Sequence, residues 1–527
     1  MELFSLGSNR YSALDIPRKS ASGLAVVSVC PCAIVPPVSG FSRSLDAFTV
    51  ALNLTCEEDQ QWYTSTKELQ LASRQFCTAC REVATLHLTV DDETPGRLLD
   101  PADAPSSTED CDGSTRVPRF RASRVTWNRT SSVDELTRPM YALSDVKIFE
   151  FGPDATISVE RVAWPPRVKA LVFGDRFNKP ITRVEWPPEL RQITFGLDSN
   201  HLTEGAYPQA PWPAVFKHFG GGSDFNQPID DVAWPASLQE LTFGACFNQS
   251  VERTRWPTKL RVIVLGDGFN RPVDNVSWPA SLQELTFGHG FDQPITRVAW
   301  PAPLEQLTFG DGFNQPMEGT AWPSQLRVIA FGNGFNQPIE DVVWPSSLQE
   351  ITFGHAFNQP ITRVVWPMSL LQLKFNDFFN RPVKGVAWPA SLQQLSFGTF
   401  FNQSVDVTWP PSLQELTFGS YIDALPHNAS ALYSEFNKRL KSAVWPASLR
   451  RLTLGGSNFR QDLRGLGSWM PSLEELRLLL EDPFNYRLLA GVKWPEGLKQ
   501  LTVYSGAQLD WVDLPQHADV VRVVNGS

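Results

Sequence analysis

The sequence contains a 22-residue repeat, and glutamate recurs at one position of that repeat. Carboxyl side chains could perform acid–base chemistry. Glu240, Glu284 and Glu350 share that position. General acid–base catalysis needs a carboxyl group within hydrogen-bond reach of the reacting group, and paired carboxyls must lie close together. A carboxylate in every second or third repeat instead predicts a solvated polar face.

The seven histidines form no catalytic arrangement either. His289 and His355 occupy the same repeat position three units apart. At a strand spacing of about 4.8 Å they would lie roughly 14 Å apart, too far to share one metal ion. Both are therefore expected to be solvent-facing turn residues.

Four cysteines near the N-terminus offer a different chemistry. Cys77 and Cys80 have the spacing of half a zinc site, and Cys30 and Cys32 could supply the other half, although their spacing is tighter than usual. Disulfide bonds in a secreted cap and reduced, partly buried thiols are the alternatives.

Known catalytic motifs are missing from the sequence. It contains no G-x-S-x-G, phosphate-binding loop or H-E-x-x-H pattern. A catalytic centre would have to lie in residues 1–142. We therefore predict a non-catalytic protein without metal or cofactor.

Charge and hydropathy limit the partners and the compartment. A net charge of −10 without clustered Lys and Arg disfavours a nucleic-acid partner. No segment reaches the roughly 18 to 20 apolar residues of a transmembrane helix. We expect a cytoplasmic protein, and the sequons at Asn53 and Asn428 keep secretion as an alternative.

A Trp-Pro pair that returns every 22 residues defines the elements that must position these side chains. A fixed period of this length predicts a solenoid, in which each unit buries its apolar face against its neighbours. The regular series consists of Trp212, Trp234, Trp256, Trp278, Trp300, Trp322, Trp344, Trp366 and Trp388, each followed by proline.

The period divides the chain into three parts. Residues 1–142 are aperiodic, with a cap, a disordered linker and a strand in the sequence TLHLTV that ends at Val90. Residues 143–410 form the regular array. Residues 411–527 hold degenerate repeats with insertions and a C-terminal cap, as expected for the end of a solenoid.

One unit, Pro279 to Trp300, shows the local structure. Leu285 to Phe287 alternates apolar and polar residues, which predicts a short strand. Gly288 predicts a tight turn, and Pro294 and Pro301 exclude a regular helix between them. We expect one short parallel strand per unit and a non-helical or single-turn return segment.

Asparagine recurs after the last phenylalanine of each unit. Buried backbone groups that no strand satisfies need polar partners, and an inward amide at a turn can supply them. We predict a structural ladder that Asp292 interrupts, because a carboxylate can accept but not donate. Its members are Asn226, Asn248, Asn270, Asn314, Asn336, Asn358, Asn380 and Asn402.

The outward positions of the strands are the candidate binding surface. They would present a polar, mildly acidic face to a protein partner, on the concave side of the sheet. The alternative is that these residues are only soluble and compatible with a strand. The candidate face comprises Gln192, Glu240, Thr242, Glu284, Thr286, Gln306, Thr308, Glu350, Thr352, Gln372, Lys374 and Gln394.

The unit L-x-x-L-x-F-G-x-x-F-N-Q-P-I resembles the FNIP repeat, a relative of the leucine-rich repeats. The resemblance is firm from Val146 to Pro410 and looser to Val503. Gln315 and Arg271 stand where the family name has Ile, and the apolar residue instead follows the proline, as at Ile361. The resemblance implies a leucine-rich-repeat-like solenoid with a curved sheet and suggests protein binding without implying a reaction.

The leading hypothesis is thus a non-catalytic protein–protein interaction scaffold with a partner of unknown identity. One alternative is a substrate-selecting adaptor of the ubiquitin system, although residues 1–142 show no convincing F-box pattern. Another is an extracellular recognition or adhesion protein, supported by the sequons and the clustered cysteines.

Overall fold

A computed structural model describes residues 27–29, 86–90, 122–128, 145–196, 223–419, 434–441, 443–456, 459–480, 489–505 and 515–524. The four N-terminal cysteines, both sequons named above, the predicted linker and Trp212 lie outside these residues. The described elements belong to two compact units, one with the first three strands and one with all later strands. The predicted boundaries at residues 143 and 411 remain a prediction.

The first unit contains three short strands. They are β1 (Val27–Val29), β2 (Leu86–Val90) and β3 (Ala122–Trp127). Strand β1 pairs antiparallel with β2, and β2 pairs parallel with β3 around an irregularity between Leu86 and His87. The strand predicted in TLHLTV is thus present as β2.

The second unit is a sheet of sixteen parallel strands in chain order. Each strand pairs with the next one along the chain. The strands are β4 (Ile148–Phe151), β5 (Ala170–Phe173), β6 (Gln192–Phe195), β7 (Glu240–Thr242), β8 (Val262–Val264), β9 (Glu284–Thr286), β10 (Gln306–Thr308), β11 (Val328–Ala330), β12 (Glu350–Thr352), β13 (Gln372–Lys374), β14 (Gln394–Phe397), β15 (Glu415–Phe418), β16 (Arg451–Gly455), β17 (Glu475–Leu480), β18 (Gln500–Ser505) and β19 (Asp519–Val524).

The register of this sheet follows the sequence period. Glu284 lies opposite Gln306, which lies opposite Val328, so each unit places one strand directly beside the last. Within the described residues the one α-helix is α1 (Leu466–Trp469), a single turn. The predicted parallel solenoid with non-helical return segments is confirmed.

Stacked phenylalanine rings fill the interior beside the strands. Phe287 and Phe291 of one unit lie 4.0 Å apart between ring centroids, and both are at most 1% exposed. Phe287 stacks on Phe309 of the next unit at 5.5 Å, and Phe291 on Phe313 at 6.0 Å. Most units of the regular array repeat this pair, with Leu265 replacing one ring, so two columns of side chains bind each layer to its neighbours.

The tryptophans form a file along the solenoid, with one correction to the predicted series. Trp256 stacks on Trp278 at 6.2 Å, and Trp322 on Trp344 at 5.9 Å. Trp234, however, stacks on Trp186 at 6.0 Å. Strand β6 pairs directly with β7, so residues 197–222 are an insertion within one unit. Trp212 was therefore wrongly taken as the repeat neighbour of Trp234.

Three turns close each unit, and neighbouring units satisfy much of its remaining backbone. In residues 279–300 the turns are closed by the N–H groups of Leu282, Phe291 and Val298, which donate to carbonyls three residues earlier. Between units the contact is close at the turn that follows each strand. A Cβ atom on Gly332 would lie 2.2 Å from the carbonyl carbon of Gly310. This close approach of two backbone layers favours glycine at the position, although Asn376 occupies it in one unit.

Candidate binding surface of the sheet

From β6 to β18 the first residues of the strands form one column, which is polar except at Val262 and Val328. The register aligns Gln192 with Glu240 and Glu240 with Val262, and it continues across all strands from β6 to β18. Most side chains of the column are half-exposed. The structure brings together the predicted residues of this column, Gln192, Glu240, Glu284, Gln306, Glu350, Gln372 and Gln394, and extends it through Glu415, Arg451, Glu475 and Gln500.

The second predicted column offers less surface than expected. Thr286 is 6% exposed and Thr308 is 4% exposed, whereas Thr242, Thr352 and Lys374 are half-exposed. The partner-accessible part of the face is therefore the first column together with Thr242, Thr352 and Lys374 of the second.

Partial burial changes the acidity of the column. Burial raises the pKa of the Glu284 carboxyl, the Glu240 carboxylate raises it further, and Arg261 opposes both effects. Burial likewise raises the pKa of Glu350, opposed by Arg327. Burial is thus the main cause of both shifts, and a like charge adds to it at Glu284.

One ion pair crosses the column near its C-terminal end. Arg451 Nη2 lies 2.7 Å from Glu415 Oε2 on the neighbouring strand. The hydrogen bond to Glu415 raises the pKa of the Arg451 guanidinium. Both side chains are partly exposed, so the pair contributes little to stability. It shows that the column accepts an arginine.

The asparagines form a ladder that uses their side-chain oxygen. Asn336 Oδ1 accepts a hydrogen bond from the backbone N–H of Asn358 at 2.9 Å, and this contact recurs from Asn178 to Asn437. The side chains are half-exposed, not inward. The predicted interruption was wrong: Asp292 Oδ1 accepts from the N–H of Asn314 at 2.9 Å. A carboxylate suffices because these contacts need only an acceptor.

Sequence reasoning missed a second ladder beside the first. Gln359 Nε2 donates to the backbone oxygen of Asn336 at 2.9 Å and to its Oδ1 at 3.1 Å. At Arg381 the guanidinium Nε replaces the amide and donates to Asn358 O at 2.7 Å. The signal was present in the sequence, because Gln or Arg follows the asparagine in most units. Both residue types carry a side-chain N–H donor at that distance from the backbone.

The two repeat histidines lie in turns and are at least partly exposed, as expected, and each also pairs with an aspartate of the next unit. His289 Nδ1 lies 3.0 Å from Asp311 Oδ2, and His355 Nδ1 lies 2.5 Å from Asp377 Oδ2. The hydrogen bond to Asp377 raises the pKa of the His355 imidazole. In the described part of the chain no group of three His, Cys, Asp or Glu side chains is arranged to hold a metal ion.

The unit that holds β13 differs from its neighbours. Lys374 ends the strand where the adjacent units have Thr352 and Ser396. Burial lowers the pKa of Lys374 to about 8, opposed by the carboxylate of Asp377. In the turn beyond, Phe378 and Phe400 stack at 5.1 Å with nearly parallel rings. Both rings are exposed, unlike the other phenylalanines that the structure describes.

No described helix has the length and apolar character of a membrane span. The described cysteine of the array, Cys246, is exposed and is not part of a disulfide.

The chain is similar to known repeat proteins in sequence and in structure. The FNIP Repeat family matches residues 335–378. The chain is 25% identical to "CroV588 a novel circular LRR protein structure", with a TM-score of 0.40, covering 79% of this chain and 69% of that one. It is 12% identical to TLR13 in a complex titled TLR13-ssRNA13, with a TM-score of 0.40 and coverage of 73% and 60%.

A further solved structure is an internalin, inlF, from Listeria monocytogenes str. 4b F2365. It is 12% identical, with a TM-score of 0.32 and coverage of 76% and 86%. No curated protein sequence matches the chain. The FNIP match falls within the regular array, and its 22-residue register repeats in the sheet on both sides of the match. Residues 335–378 therefore match the FNIP repeat, within a solenoid of parallel strands that keeps the same register on both sides of the match.

Proposed function

We propose that the solenoid is a non-catalytic scaffold that binds a protein partner through the polar column of its sheet. The observation that supports this is the row of mostly polar, partly exposed side chains from β6 to β18, in which Val262 and Val328 are the two apolar members. Extended sheet faces are the surfaces that solenoids use for binding. The net charge of −10 favours a protein partner over nucleic acid.

The test is capture of partners by the full chain, immobilised and exposed to an extract of the cell that produces it. A matched variant replaces Glu240, Glu284 and Glu350 with arginine, a residue that the column already holds at Arg451. The proposal requires at least one protein that binds the unmodified chain and is lost from the variant. An identical set of captured proteins, or none above bead background, would refute it.

The same experiment separates the two alternatives. A ubiquitin-ligase component among the captured proteins would favour an adaptor. An N-linked glycan at Asn53 or Asn428 of the protein isolated from its native source would favour an extracellular recognition protein.

A further inference from the structure

Where one unit carries a residue that differs from the residue at the same position of the neighbouring units, the fold does not require that particular side chain. Neighbouring units share one backbone path, so the residue of the adjacent unit is compatible with that path. Unit 367–388 departs at three nearby positions, since Lys374, Asn376 and Phe378 stand where the preceding unit has threonine, glycine and alanine. All three lie at the end of β13 or in the turn that follows it.

The departures place two aromatic rings in water. Phe378 is 53% exposed and Phe400 is 36% exposed, and their rings stack at 5.1 Å with an interplanar angle of 5°. The five units before them have glycine or alanine at this position. Exposed aromatic side chains that sit together are the residues that concentrate binding energy at protein interfaces.

Hydrogen bonds hold this turn in place. Asp377 accepts from Thr399 Oγ1 at 2.7 Å and pairs with His355 Nδ1 at 2.5 Å. Asn376 is buried and donates through Nδ2 to the backbone oxygen of Phe353 at 2.8 Å. A surface fixed before binding loses little conformational entropy when a partner arrives.

The charge of the unit differs from that of the chain. Residues 367–388 contain Lys374, Arg381 and Lys384 against the single acid Asp377, a formal charge of +2, whereas the whole chain carries −10. By contrast, residues 301–322 carry three acids and no basic residue. Asp377 is already engaged by His355 and Thr399. The local excess of positive charge thus favours an acidic ligand.

We propose that Lys374, Phe378 and Phe400 form a docking site, the turn-edge site, for an acidic segment of a partner protein. The segment lays an apolar side chain on the two rings and directs a carboxylate toward the Lys374 amine. This inference rests on the proposed function, since it names where on the scaffold a partner binds and what chemistry it carries.

The test selects a random peptide library, displayed on phage, against the full chain. The site variant is Phe378→Ala with Phe400→Ala, and a third variant is Lys374→Thr; Ala356 and Thr352 occupy these positions in the preceding unit, so the variants are expected to fold. The matched control is Val343→Ala with Val365→Ala, which removes exposed apolar side chains from the tryptophan side of the units, where other units have alanine.

The turn-edge site predicts enriched peptides that combine Asp or Glu with aromatic or aliphatic residues. Resynthesised peptides should lose at least about tenfold in affinity for the phenylalanine variant and retain affinity for the valine control. Lys374→Thr should weaken binding and reduce its salt dependence.

Several outcomes would overturn the inference. They are enrichment of peptides without acids, no enrichment at all, or equal affinity for the phenylalanine variant. Self-association of the unmodified chain that the phenylalanine variant abolishes would make a second copy the occupant instead. Peptides lost only from the variant with arginine at positions 240, 284 and 350 would leave the proposed scaffold function intact and refute this site.

Discussion

At the scale of single residues, stability depends on apolar side chains that each unit hides between its neighbours. Phe335 is fully buried and lies 4.4 Å from Phe331 and 6.0 Å from both Phe313 and Phe357, measured between ring centroids. Its ring therefore contacts three consecutive units. Two units later, Phe379 at the equivalent position is buried and the adjacent Phe378 is exposed, so the same residue type is used differently at neighbouring positions of the turn.

We expect Phe335→Ala to lower the free energy of unfolding by about 3–5 kcal/mol, because it removes buried contacts and leaves a cavity. Urea denaturation followed by tryptophan fluorescence measures this loss. Phe378→Ala is the control and should change the stability by no more than about 0.5 kcal/mol, the range of ordinary surface substitutions. Equal losses in the two variants would show that Phe335 is not a core residue.

Glu284 gives a pH-dependent prediction at the same scale. Since burial and the Glu240 carboxylate raise its pKa, the folded state binds the proton more tightly than the unfolded chain. The stability from this group is present below the ordinary carboxyl pKa and is lost as pH rises through the raised value. Glu284→Gln, which matches Gln306 in the next strand, removes this loss.

The difference in unfolding free energy between Glu284→Gln and the unmodified chain should therefore move in favour of the variant from about pH 4 to about pH 7. Denaturation curves at a series of pH values measure it. A difference that is constant with pH, or that moves against the variant, would contradict the burial of this carboxyl.

At the scale of the element, side-chain ladders connect the return segments where the sheet cannot. The N–H of Asn358 and the side-chain amide of Gln359 both donate to Asn336 Oδ1. A carboxylate at this position preserves both acceptor contacts, as Asp292 does two units earlier. An alanine removes them and leaves the donors without that partner.

We expect Asn336→Ala to cost about 1–3 kcal/mol, because the N–H of Asn358 loses its acceptor and Gln359 keeps only the backbone oxygen of residue 336, whereas Asn336→Asp should cost less than about 1 kcal/mol. Chemical denaturation of the two variants side by side measures the difference. If the aspartate variant is as destabilised as the alanine variant, the ladder depends on hydrogen bonds that the asparagine amide donates, and the role of Asn336 Oδ1 as acceptor is not what stabilises it.

At the scale of the whole molecule, the sheet of β4 to β19 is a one-dimensional stack. Every strand pairs with its sequence neighbour, so each unit depends on the two units beside it. In such an array the total stability is close to a sum of unit and interface contributions. Whole units can then be added or removed as long as the remaining strands stay in register.

Removing residues 301–322 deletes one complete unit and joins Trp300 to Pro323, as in every other Trp-Pro boundary. We expect this variant to fold cooperatively with an unchanged circular dichroism spectrum per residue, because the phenylalanine columns and both ladders stay in register. Removing residues 301–311 instead should abolish cooperative unfolding of the array. Equal behaviour of the two deletions would mean that stacking in register does not hold the fold together.

The sequence by itself determined the repeating architecture. The period of Trp234, Phe287 and Leu285 predicted one strand per unit because interior positions recur wherever identical backbone layers stack. It also placed Glu240, Glu284 and Glu350 in one column, since side-chain direction alternates along a strand.

Only the tertiary structure decided how the units connect in space. It showed that Trp186 stacks on Trp234. The sequence period could not show this, because β6 pairs with β7 across the insertion between them. The tertiary structure also revealed that Asp292 continues the ladder and that Asp377 lies against His355. These contacts join residues of different units. Their donors, acceptors and distances depend on how two particular units pack together, whereas the sequence period predicts only the backbone that all units share.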